Sequence, residues 1–573
     1  MRDMRMVRRE AAGAALLGLA LLLTPARAEE PARAGEPPSA LRLPDLLPAA
    51  PITPADLGAI TLPAAVAAEP TPVKPDPPAA PAAAAAIDPP AINHAIESLA
   101  GALRNEGKPG EERRVRTAIA DVYAARAFAP LWIADGRFTP TARAAIDRLA
   151  QAGADGLDLR AAPPPSLEDA HDDAARARAD VALSLAVVLY GREASGGRVD
   201  PRAISTQISD RPDVAEPARI LAAVASAPDA DAALQSFNPP QAGYRALRDK
   251  LAEMRREKGS PVRERIPVGP PLRVGMRDLR VPLIRARFVL GEAQDEAQNL
   301  LYDTRVAAAV ADFQRAVGLP ASGVLTRRTI GILSGGEPAD LEDDILANME
   351  RWRWMPRDMG GDRIEVNIPD YEVTVRVNDA IVHRARVVVG KADTPTPVFS
   401  NTMQFLIVNP YWNVPDSIIK KEMLPKLAND PNYLHRLGYE VVYKRGRMIV
   451  RQPPGERNAL GRIKFMFPND HAVYLHDTPS RALFASARRA FSHGCVRVDD
   501  PFRLAEVVLG QGWSEARVKH LIGGAERTVF LARPLPIHIE YFTAFVDDGG
   551  RLQVREDVYG YSRRVKLALG LGG

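Results

Sequence analysis

Apolar residues recur every three or four positions along the chain from residue 93 to residue 256. This spacing places them on one face of a helix. Residues 181–190 are apolar on nearly every side, so this segment is expected to form a well-buried helix. No combination of residues typical of a catalytic site appears here, and the pattern predicts a helical scaffold over residues 93–262. The clearest amphipathic stretch is Val115, Ala118, Ile119, Val122 and Tyr123.

From residue 363 onward, apolar and polar positions alternate, which is the period of a β-strand. Asn378 and Asp379 separate two such runs, as turn residues do. The alternation predicts a mostly β domain over residues 362–573. Its strands are expected at residues 364–368, 371–377, 385–389, 404–409, 441–443, 448–450, 472–475 and 537–546.

A compact module lies between these two regions. Val310 and Phe313 are candidates for its core and Gly323 for a turn. The segments AVADFQ at residues 309–314 and GLP at residues 318–320 resemble the small three-helix peptidoglycan-binding module of many cell-wall enzymes. The resemblance implies a peptidoglycan-binding module over residues 263–340, although in some relatives such modules serve only as spacers. A connecting helix is expected at residues 341–361.

The N-terminal residues have the features of a secretory signal. Arg2, Arg5, Arg8 and Arg9 precede an uncharged apolar run of 13 residues, and Ala26-Arg27-Ala28 suits cleavage before Glu29. A membrane helix needs about 20 apolar residues. We therefore expect a signal peptide at residues 1–28, export to the periplasm and no stable transmembrane span after cleavage. An uncleaved anchor is the alternative.

Composition narrows the function further. Residues 29–92 hold sixteen of the 51 prolines and predict an extended linker without a core. The net charge is +4 and the basic residues are dispersed, which argues against nucleic acid as a partner. Cys495 is the only cysteine, so it cannot form an internal disulfide. In an exported chain it is either an inert buried thiol or a nucleophile.

The surroundings of Cys495 favour the nucleophile. A free thiol has a pKa of about 8.5 and needs a base to become a thiolate at neutral pH. His476 and His493 are both close to Cys495 in sequence, and the spacing alone does not choose between them. Gly494 allows a sharp turn that directs backbone N–H groups toward a developing oxyanion. A thiol, an imidazole and a turn of this kind are parts that acyl transfer requires.

These residues belong to a longer pattern. His476 is followed, after fifteen residues, by Ser492-His493-Gly494-Cys495-x-Arg497. The pattern resembles the signature of the L,D-transpeptidase catalytic domain of the YkuD type, with similarity from about residue 362 to residue 562. Further matching segments are VNPYWNVP at residues 408–415, MFPN at 466–469, YLHDTP at 474–479 and REDVYGY at 555–561.

The resemblance has consequences for the fold. The order of domains is similar to that of the large periplasmic branch of this family in Gram-negative bacteria. It implies a multidomain α+β chain with a helical scaffold, a small three-helix peptidoglycan-binding module and a mostly β catalytic domain over residues 362–573. Residues 416–462 form an insertion with ten Lys or Arg against five Asp or Glu. This insertion is either a solvated surface loop or a capping subdomain over the active site.

The resemblance also assigns roles to residues. It makes Cys495 the nucleophile and His476 its base, with Ser492, His493 and Gly494 in the catalytic loop. The N–H groups of Gly494 and Cys495 would form the oxyanion hole, and the Asp477 carbonyl would orient the base. Arg497 would hold either the loop or a substrate carboxylate. Tyr474 and Trp412 are candidates for the pocket wall or, as aromatic residues in strands, for the core.

The implied reaction is transfer of a peptidoglycan stem peptide. Cys495 would attack a tetrapeptide stem, release D-alanine and form a thioester that an amine of a neighbouring stem resolves into a 3→3 cross-link. Carbapenems would acylate the same thiol. The resemblance implies no cofactor, and no metal-ligand spacing appears in the sequence. The expected partners are the donor and acceptor stem peptides and, as further candidates, other cell-wall synthesis enzymes.

Other interpretations stay open at this point. The same core would attach outer-membrane proteins to peptidoglycan if a protein amine were the acceptor, and it would act as an L,D-carboxypeptidase if water were. A non-catalytic wall-binding scaffold would not need Cys495 and His476. A papain-type protease would carry its histidine downstream of the cysteine, whereas His476 lies upstream.

Overall fold

A computed structural model describes residues 90–167, 170–257, 266–267, 269–291, 295–316, 321–333, 338–444 and 447–572. The predicted signal peptide at residues 1–28 and all but the end of the predicted linker lie outside these residues. Helix α1 begins at Ala91, within the last two residues of that linker. Among the described residues, no helix is both long and apolar enough to cross a bilayer.

The first half of the described chain folds as helices around one long helix, α4. Asp172 caps the start of α4 by accepting a hydrogen bond from the Ala175 N–H. Asp180, in the middle of α4, is fully buried and accepts hydrogen bonds from the Tyr123 hydroxyl at 2.6 Å and the Trp132 N–H at 2.8 Å. These bonds fix α4 to the preceding segment, because a buried carboxylate is stable only when it is hydrogen-bonded. The predicted helical scaffold is confirmed.

The scaffold contains eight helices and two short strands. They are α1 (Ala91–Asn105), α2 (Glu111–Ala125), β1 (Ile133–Ala134), β2 (Arg137–Phe138), α3 (Pro140–Ala150), α4 (Asp173–Gly196), α5 (Pro201–Ile204), α6 (Pro217–Ala225), α7 (Ala230–Gln235) and α8 (Ala242–Glu257).

The small module that follows has a core of its own. Gln314 holds it together, since its side-chain amide donates to the Val324 carbonyl at 2.8 Å and accepts from the Gly323 N–H at 2.9 Å. Val310 is fully buried and Phe313 packs against the same core. The predicted small helical module is therefore present, with one additional single-turn helix. Its helices are α9 (Val281–Arg287), α10 (Glu296–Asn299), α11 (Thr304–Ala316) and α12 (Arg327–Leu333).

Helix α13 (Pro338–Trp352) leads into the second half of the chain. Glu350 on this helix accepts hydrogen bonds from the N–H groups of Arg198 and Val199, at 2.5 and 2.8 Å, which tie it to the scaffold. The connecting helix predicted at residues 341–361 is shorter than expected. It ends at Trp352, and residues 353–362 form turns and irregular structure, because Pro356 has no N–H to continue a helix.

The β domain is built on one nine-stranded sheet. The strand order is β12-β5-β13-β11-β10-β6-β14-β3-β4, and an additional pairing of β5 with β4 closes the sheet on itself. Its interior holds the alternate apolar residues that the two-residue period predicted, such as Ile364, Val373, Leu406 and Leu475. The predicted mostly β domain is confirmed. The turn at Asn378 and Asp379 joins β4 to β5, with positive φ at both residues.

The sheet contains nine strands of two to fourteen residues. They are β3 (Arg363–Asn367), β4 (Glu372–Val377), β5 (Ala380–Gly390), β6 (Phe399–Val408), β10 (Ile463–Met466), β11 (Leu475–His476), β12 (Ala490–Ser492), β13 (Val496–Val498) and β14 (Arg527–Glu540). Three further helices and a hairpin complete the domain, namely α17 (Pro501–Leu509), α18 (Glu515–Lys519), β15 (Ala544–Val546), β16 (Leu552–Val554) and α19 (Tyr561–Ala568).

The limits of the predicted strands differ in the structure, by five residues at the start of β5 and of β6, and two further differences have a local cause. The strand expected at residues 472–475 begins only at Leu475, because Asn469 closes a tight loop by accepting from the Val473 N–H and donating to its carbonyl. The strand expected at residues 537–546 is the end of β14, which starts ten residues earlier at Arg527. It stops at Glu540, and the N–H of Phe542, two residues further on, donates to the Asn367 side chain.

The insertion predicted at residues 416–462 folds as a subdomain with its own core rather than as a surface loop. We call it the cap. Its buried residues include Val414, Ile419, Leu434 and Val450, and its three-stranded sheet has the order β7-β9-β8. It begins slightly before residue 416, because strand β7 belongs to this sheet. Its elements are β7 (Trp412–Asn413), α14 (Asp416–Ile418), a π-helical turn (Ile419–Met423), α15 (Leu424–Asn429), α16 (Tyr433–Arg436), β8 (Glu440–Lys444) and β9 (Arg447–Gln452).

Candidate active site

The pairing of two short strands brings the predicted site residues together. β11 runs parallel to β13, with Leu475 opposite Val496 and His476 opposite Arg497. Leu475 and Val496 belong to the buried core. Side chains alternate along a strand, so His476 and Arg497 share the other face of the sheet. Residues two positions earlier, Tyr474 and Cys495, share that face as well.

The Cys495 thiol lies against the aromatic residues predicted for the pocket. It is partly exposed and interacts with the Tyr474 hydroxyl. The Tyr474 hydroxyl also interacts with Trp412 of the cap. Burial raises the pKa of the Cys495 thiol, while Tyr474 and the positive charges of Lys464 and Arg497 oppose this rise. The thiol is therefore protonated at neutral pH and needs a base.

The His476 imidazole lies on the same face as Cys495 and is the candidate base. It is almost fully buried, and its ring centroid is 5.8 Å from that of Tyr474. Nδ1 is 2.5 Å from the Asp477 carbonyl oxygen. A carbonyl can only accept, so Nδ1 carries the proton and Nε2 keeps a lone pair. Burial, the charge of Arg497 and that of Lys464 lower the pKa of His476 to about 3, which keeps the imidazole neutral.

Asp477 takes part through its backbone, as the sequence analysis expected. Its carboxylate has other partners, the Arg462 N–H at 2.8 Å and the Arg481 guanidinium at 2.6 Å. Gly461 makes room for this carboxylate, because a Cβ at that position would overlap it. The buried carboxylate therefore anchors the segment, and its carbonyl is left to orient His476.

The loop before Cys495 is held by a chain of hydrogen bonds. Gly494 has a φ of 115°, a conformation that favours glycine. Its carbonyl accepts from the Thr396 hydroxyl at 2.7 Å, and Thr396 accepts from the Gly390 N–H at 2.9 Å. Ser492 donates to the Cys495 carbonyl at 2.5 Å. The end of β5 thus sets the position of the nucleophile.

One expectation for this loop requires correction. The Gly494 N–H, expected in an oxyanion hole, donates to Ser492 Oγ at 3.2 Å and is not free in this structure. Within the described part of the chain, no acceptor is bonded to the Cys495 N–H. The Cys495 N–H is therefore the available oxyanion donor of the pair, because a donor must be unoccupied to stabilise a new negative charge.

The second candidate histidine, His493, faces the cap rather than the sheet. Its side chain is exposed, and Nε2 is 2.7 Å from Glu422 Oε1. Glu422 lies in the π-helical turn Ile419–Met423. The catalytic loop and the cap are therefore in direct contact on one side of Cys495, and Trp412 adds a second contact through Tyr474.

Comparison with known proteins agrees with this geometry. Residues 361–528 match the family model of the L,D-transpeptidase catalytic domain, residues 283–333 that of a peptidoglycan binding domain and residues 117–251 that of a scaffold domain. The chain contains an L,D-transpeptidase catalytic domain. The cap and all the site residues described above lie within the matched range of the L,D-transpeptidase domain.

A curated relative supports the same assignment. A protein of Haemophilus influenzae named "Putative L,D-transpeptidase" is 34% identical over 267 residues, which cover 43% of this chain and 54% of the relative. The chain thus spans about half the length of the curated relative that it matches.

Solved structures of L,D-transpeptidases also match parts of this chain. An L,D-transpeptidase from Mycobacterium smegmatis covers 31% of this chain and 58% of its own, with 14% identity and a TM-score of 0.18. One from Xylanimonas cellulosilytica covers 48% of this chain and 99% of its own, with 15% identity and a TM-score of 0.16. TM-scores in this range are too low to support a conclusion about function.

The structure adds to the L,D-transpeptidase site a residue that sequence reasoning missed. Lys464 on β10 is paired in register with His476, and its ammonium is 3.8 Å from the centroid of the Tyr474 ring. The available signal was a lysine between Ile463 and Phe465, two core residues of a short strand. Glu422 was also missed, because 72 positions separate it from Gly494 in the sequence and only folding brings the cap to the loop.

A large cavity lies away from the thiol of the L,D-transpeptidase domain. Its volume is about 840 Å³, and its lining includes residues of β3, β4 and the scaffold but none of the site residues. Its charged groups pair with each other, as in the ion pairs Arg363–Glu365 at 2.7 Å and Arg376–Glu365 at 2.8 Å. Within the described ranges, no cluster of His, Cys, Asp or Glu is arranged to hold a metal ion.

Proposed function

We propose that the protein is an L,D-transpeptidase that forms 3→3 cross-links in peptidoglycan through a thioester on Cys495. The observation that carries this proposal is the common face shared by the thiol, the neutral His476 imidazole and the Tyr474 hydroxyl. A neutral base beside a protonated thiol is the arrangement required for proton transfer at the moment of attack.

The first half of the proposed reaction forms the acyl-enzyme. The Nε2 atom of His476 accepts the Sγ proton, and the thiolate attacks the carbonyl that precedes the terminal D-alanine of a tetrapeptide stem. The Cys495 N–H and the charge of Arg497 stabilise the negative charge that develops on sulfur and oxygen. The imidazolium then returns the proton to the leaving amine, so that D-alanine departs and a thioester remains.

The second half transfers the acyl group to an amine. The side-chain amine of a neighbouring diaminopimelate attacks the thioester carbonyl, His476 accepts its proton, and the C–S bond breaks. The proton returns to Sγ and the enzyme is restored. The cap supplies basic residues in excess of acidic ones, which favours substrates rich in carboxylates.

Muropeptide transfer with purified protein tests the proposal. Disaccharide tetrapeptides labelled at the terminal D-alanine should yield free D-alanine and a 3→3 dimer by mass spectrometry. Cys495→Ser should lose nearly all transfer, because a hydroxyl is far less ionised than a thiol of the same shape. The exposed Ser480→Ala variant should behave like the wild type.

Other products would change the conclusion. Tripeptide without dimer would show water as the acceptor and an L,D-carboxypeptidase. Dimer formation only with an added outer-membrane protein amine would show protein attachment. Full transfer by Cys495→Ser would overturn the thioester mechanism and place the reactive group at another residue.

We propose further that the protein works in the periplasm, where it would meet this substrate. The support is the basic n-region and short apolar run of residues 1–28. Expression of the full chain in a Gram-negative host should give periplasmic protein whose N-terminal sequence begins at Glu29. Cytoplasmic protein that retains Met1 would contradict the export proposal without affecting the catalytic one.

A further inference from the structure

Lys464 occupies a defined place in the site. It is opposite His476 on the neighbouring strand β10, and His476 is opposite Arg497 on β13. The three side chains therefore form one row across adjacent strands, with the imidazole between two cations. Neighbouring strands are about 4.8 Å apart, so the backbones that carry the two cations are about 10 Å apart.

Neither cation is ion-paired with a carboxylate in the described part of the chain. Among the described residues, no acidic side chain forms an ion pair with Lys464 or Arg497, and Arg497 Nε is buried without any hydrogen-bond partner. Glu526 attracts Lys464 only at longer range, and its carboxylate accepts instead from the Tyr411 N–H at 2.6 Å. The ammonium rests on the Tyr474 ring, a weaker contact than an ion pair.

Two other partly buried cations of the same domain are ion-paired. Arg363 is bonded to Glu365 at 2.7 Å and Lys566 to Asp344 at 2.6 Å. A buried charge without a partner lowers stability, so such groups are rare outside functional sites. Burial does lower the pKa of Lys464, while a negative charge on Cys495 raises it again.

We propose that Lys464 determines specificity in the donor site by binding a carboxylate of the donor stem. This inference rests on the proposed transfer reaction. A tetrapeptide stem carries two carboxylates within one residue of the attacked carbonyl, on the terminal D-alanine and on the side chain of diaminopimelate. Each can reach a cation in this row. The ammonium leaves the Tyr474 ring for the carboxylate and holds the scissile carbonyl at Cys495.

An alternative role for Lys464 is electrostatic stabilisation of the Cys495 thiolate, and the experiment must distinguish the two roles. A lysine that only stabilised the thiolate would affect every donor equally and would change the alkylation of Cys495. A lysine that binds a carboxylate would affect only donors that carry it. The two roles therefore separate when donor charge and Lys464 are changed together.

The experiment combines three donors with two enzymes. The donors are the tetrapeptide, its terminal carboxamide and its diaminopimelate carboxamide, and the enzymes are the wild type and Lys464→Met. With the unmodified donor, Lys464→Met should raise KM about ten- to hundredfold with a smaller change in kcat. One of the two carboxamide donors lacks the carboxylate that Lys464 binds. With that donor, the KM of the wild type should rise as much as Lys464→Met raises it for the unmodified donor. Lys464→Met should then cause no further rise.

The result also identifies which carboxylate is bound. Lys464→Arg should recover part of the KM for the unmodified donor, because the charge is retained. If Lys464→Met impaired transfer equally with all three donors, the inference would be overturned. Lys464 would then act by stabilising the thiolate. Lys464→Met should change the rate of Cys495 alkylation by neutral iodoacetamide much less than it changes KM.

A binding measurement separates this inference from the proposed function. Calorimetric titration of the unmodified donor into Cys495→Ala and into Cys495→Ala/Lys464→Met needs no turnover. Affinity should fall about ten- to hundredfold in the double variant. Equal affinities would overturn the inference even if transfer were demonstrated, and weaker binding by the double variant would support it even if the transfer product were not a 3→3 dimer.

Discussion

His493 Nε2 lies 2.7 Å from Glu422 Oε1, so the loop that carries the nucleophile is bonded directly to the cap. Each partner is substantially exposed. An exposed pair of this kind contributes little to overall stability. Its effect is local, because it connects the cap to the residue two positions before Cys495.

Glu422→Ala should loosen the cap without unfolding the domain. The melting temperature should change by no more than about 2 °C, since exposed ion pairs contribute about 0–1 kcal/mol. Alkylation of Cys495 by a bulky maleimide should become faster, and transfer on wall substrate slower. Thermal melting and timed intact-mass measurements provide the readouts.

The matched control for the cap prediction is Glu440→Ala. Glu440 forms an exposed pair with Arg451 inside the cap, at 2.7 Å, and does not contact the catalytic loop. Its alkylation rate should equal that of the wild type. If both variants accelerated alkylation equally, the effect would come from cap stability and not from the contact with His493.

His476→Ala should reduce transfer far more than His493→Ala. Loss of a general base lowers the rate about a hundred- to ten-thousandfold. The His493 ring is hydrogen-bonded to Glu422, so His493 should affect transfer only through the cap. The pH profile of Cys495 alkylation should shift to higher pH in His476→Ala. An unchanged profile in that variant would place the base elsewhere.

Stability should depend on pH through His476. Its pKa is lowered from about 6.5 to about 3 in the folded protein by burial and by Arg497 and Lys464. Below the unfolded pKa, the unfolded state binds more protons, so this contribution to stability is lost as pH falls from about 6.5 toward 3, by about 1.4 kcal/mol per pH unit. Denaturant midpoints of His476→Gln should fall less steeply than those of the wild type between pH 6.5 and 4.5, roughly the window of this effect. Parallel slopes would show that His476 is protonated in the folded protein.

Gly390→Ala should damage both stability and transfer. A Cβ at Gly390 would overlap the carbonyl oxygen of Thr394 and displace the segment in which Thr396 holds Gly494. We expect a loss of about 1–3 kcal/mol in unfolding free energy and lower transfer. Gly524→Ala, where an added Cβ makes only ordinary contacts, is the control. If a destabilised Gly390→Ala protein kept wild-type activity, the position of the Gly494 loop would not control catalysis.

A carbapenem should form one covalent adduct with the purified protein. Its strained carbonyl can occupy the position of the stem carbonyl, and the thiolate opens the ring. The adduct should be absent from Cys495→Ala and slow to form on His476→Ala, as measured by intact mass. An adduct that persisted on Cys495→Ala would place the reactive group at another residue. A folded wild-type protein without an adduct would show that the site does not accept such carbonyls.

Much of this architecture could be predicted from local pattern. The change from a period of three or four residues to a period of two separated the helical scaffold from the β domain. Strand limits were less predictable, because they depend on distant partners. Asn469 shortens β11 from within a loop, and Asn367 on the neighbouring strand β3 accepts from the Phe542 N–H beyond the end of β14.

The fold of the cap could not be predicted from local sequence pattern either. Its charge balance was visible in the sequence, but both a surface loop and a folded unit were compatible with it. The joint burial of Ile419, Leu434 and Val450 settles that it has a core. Residues far apart in the sequence share that core, and no local period records such an arrangement.

The sequence by itself determined the candidate chemistry of this protein, a single thiol with two nearby imidazoles, a glycine turn and the order of domains around them. The tertiary structure decided the environment of each group. It buried His476 between Lys464 and Arg497, turned His493 to Glu422 and occupied the Gly494 N–H with Ser492. The physical reason is that pKa, hydrogen-bond occupancy and charge pairing depend on strand register and burial, which arise from contacts between segments and not from spacing along the chain.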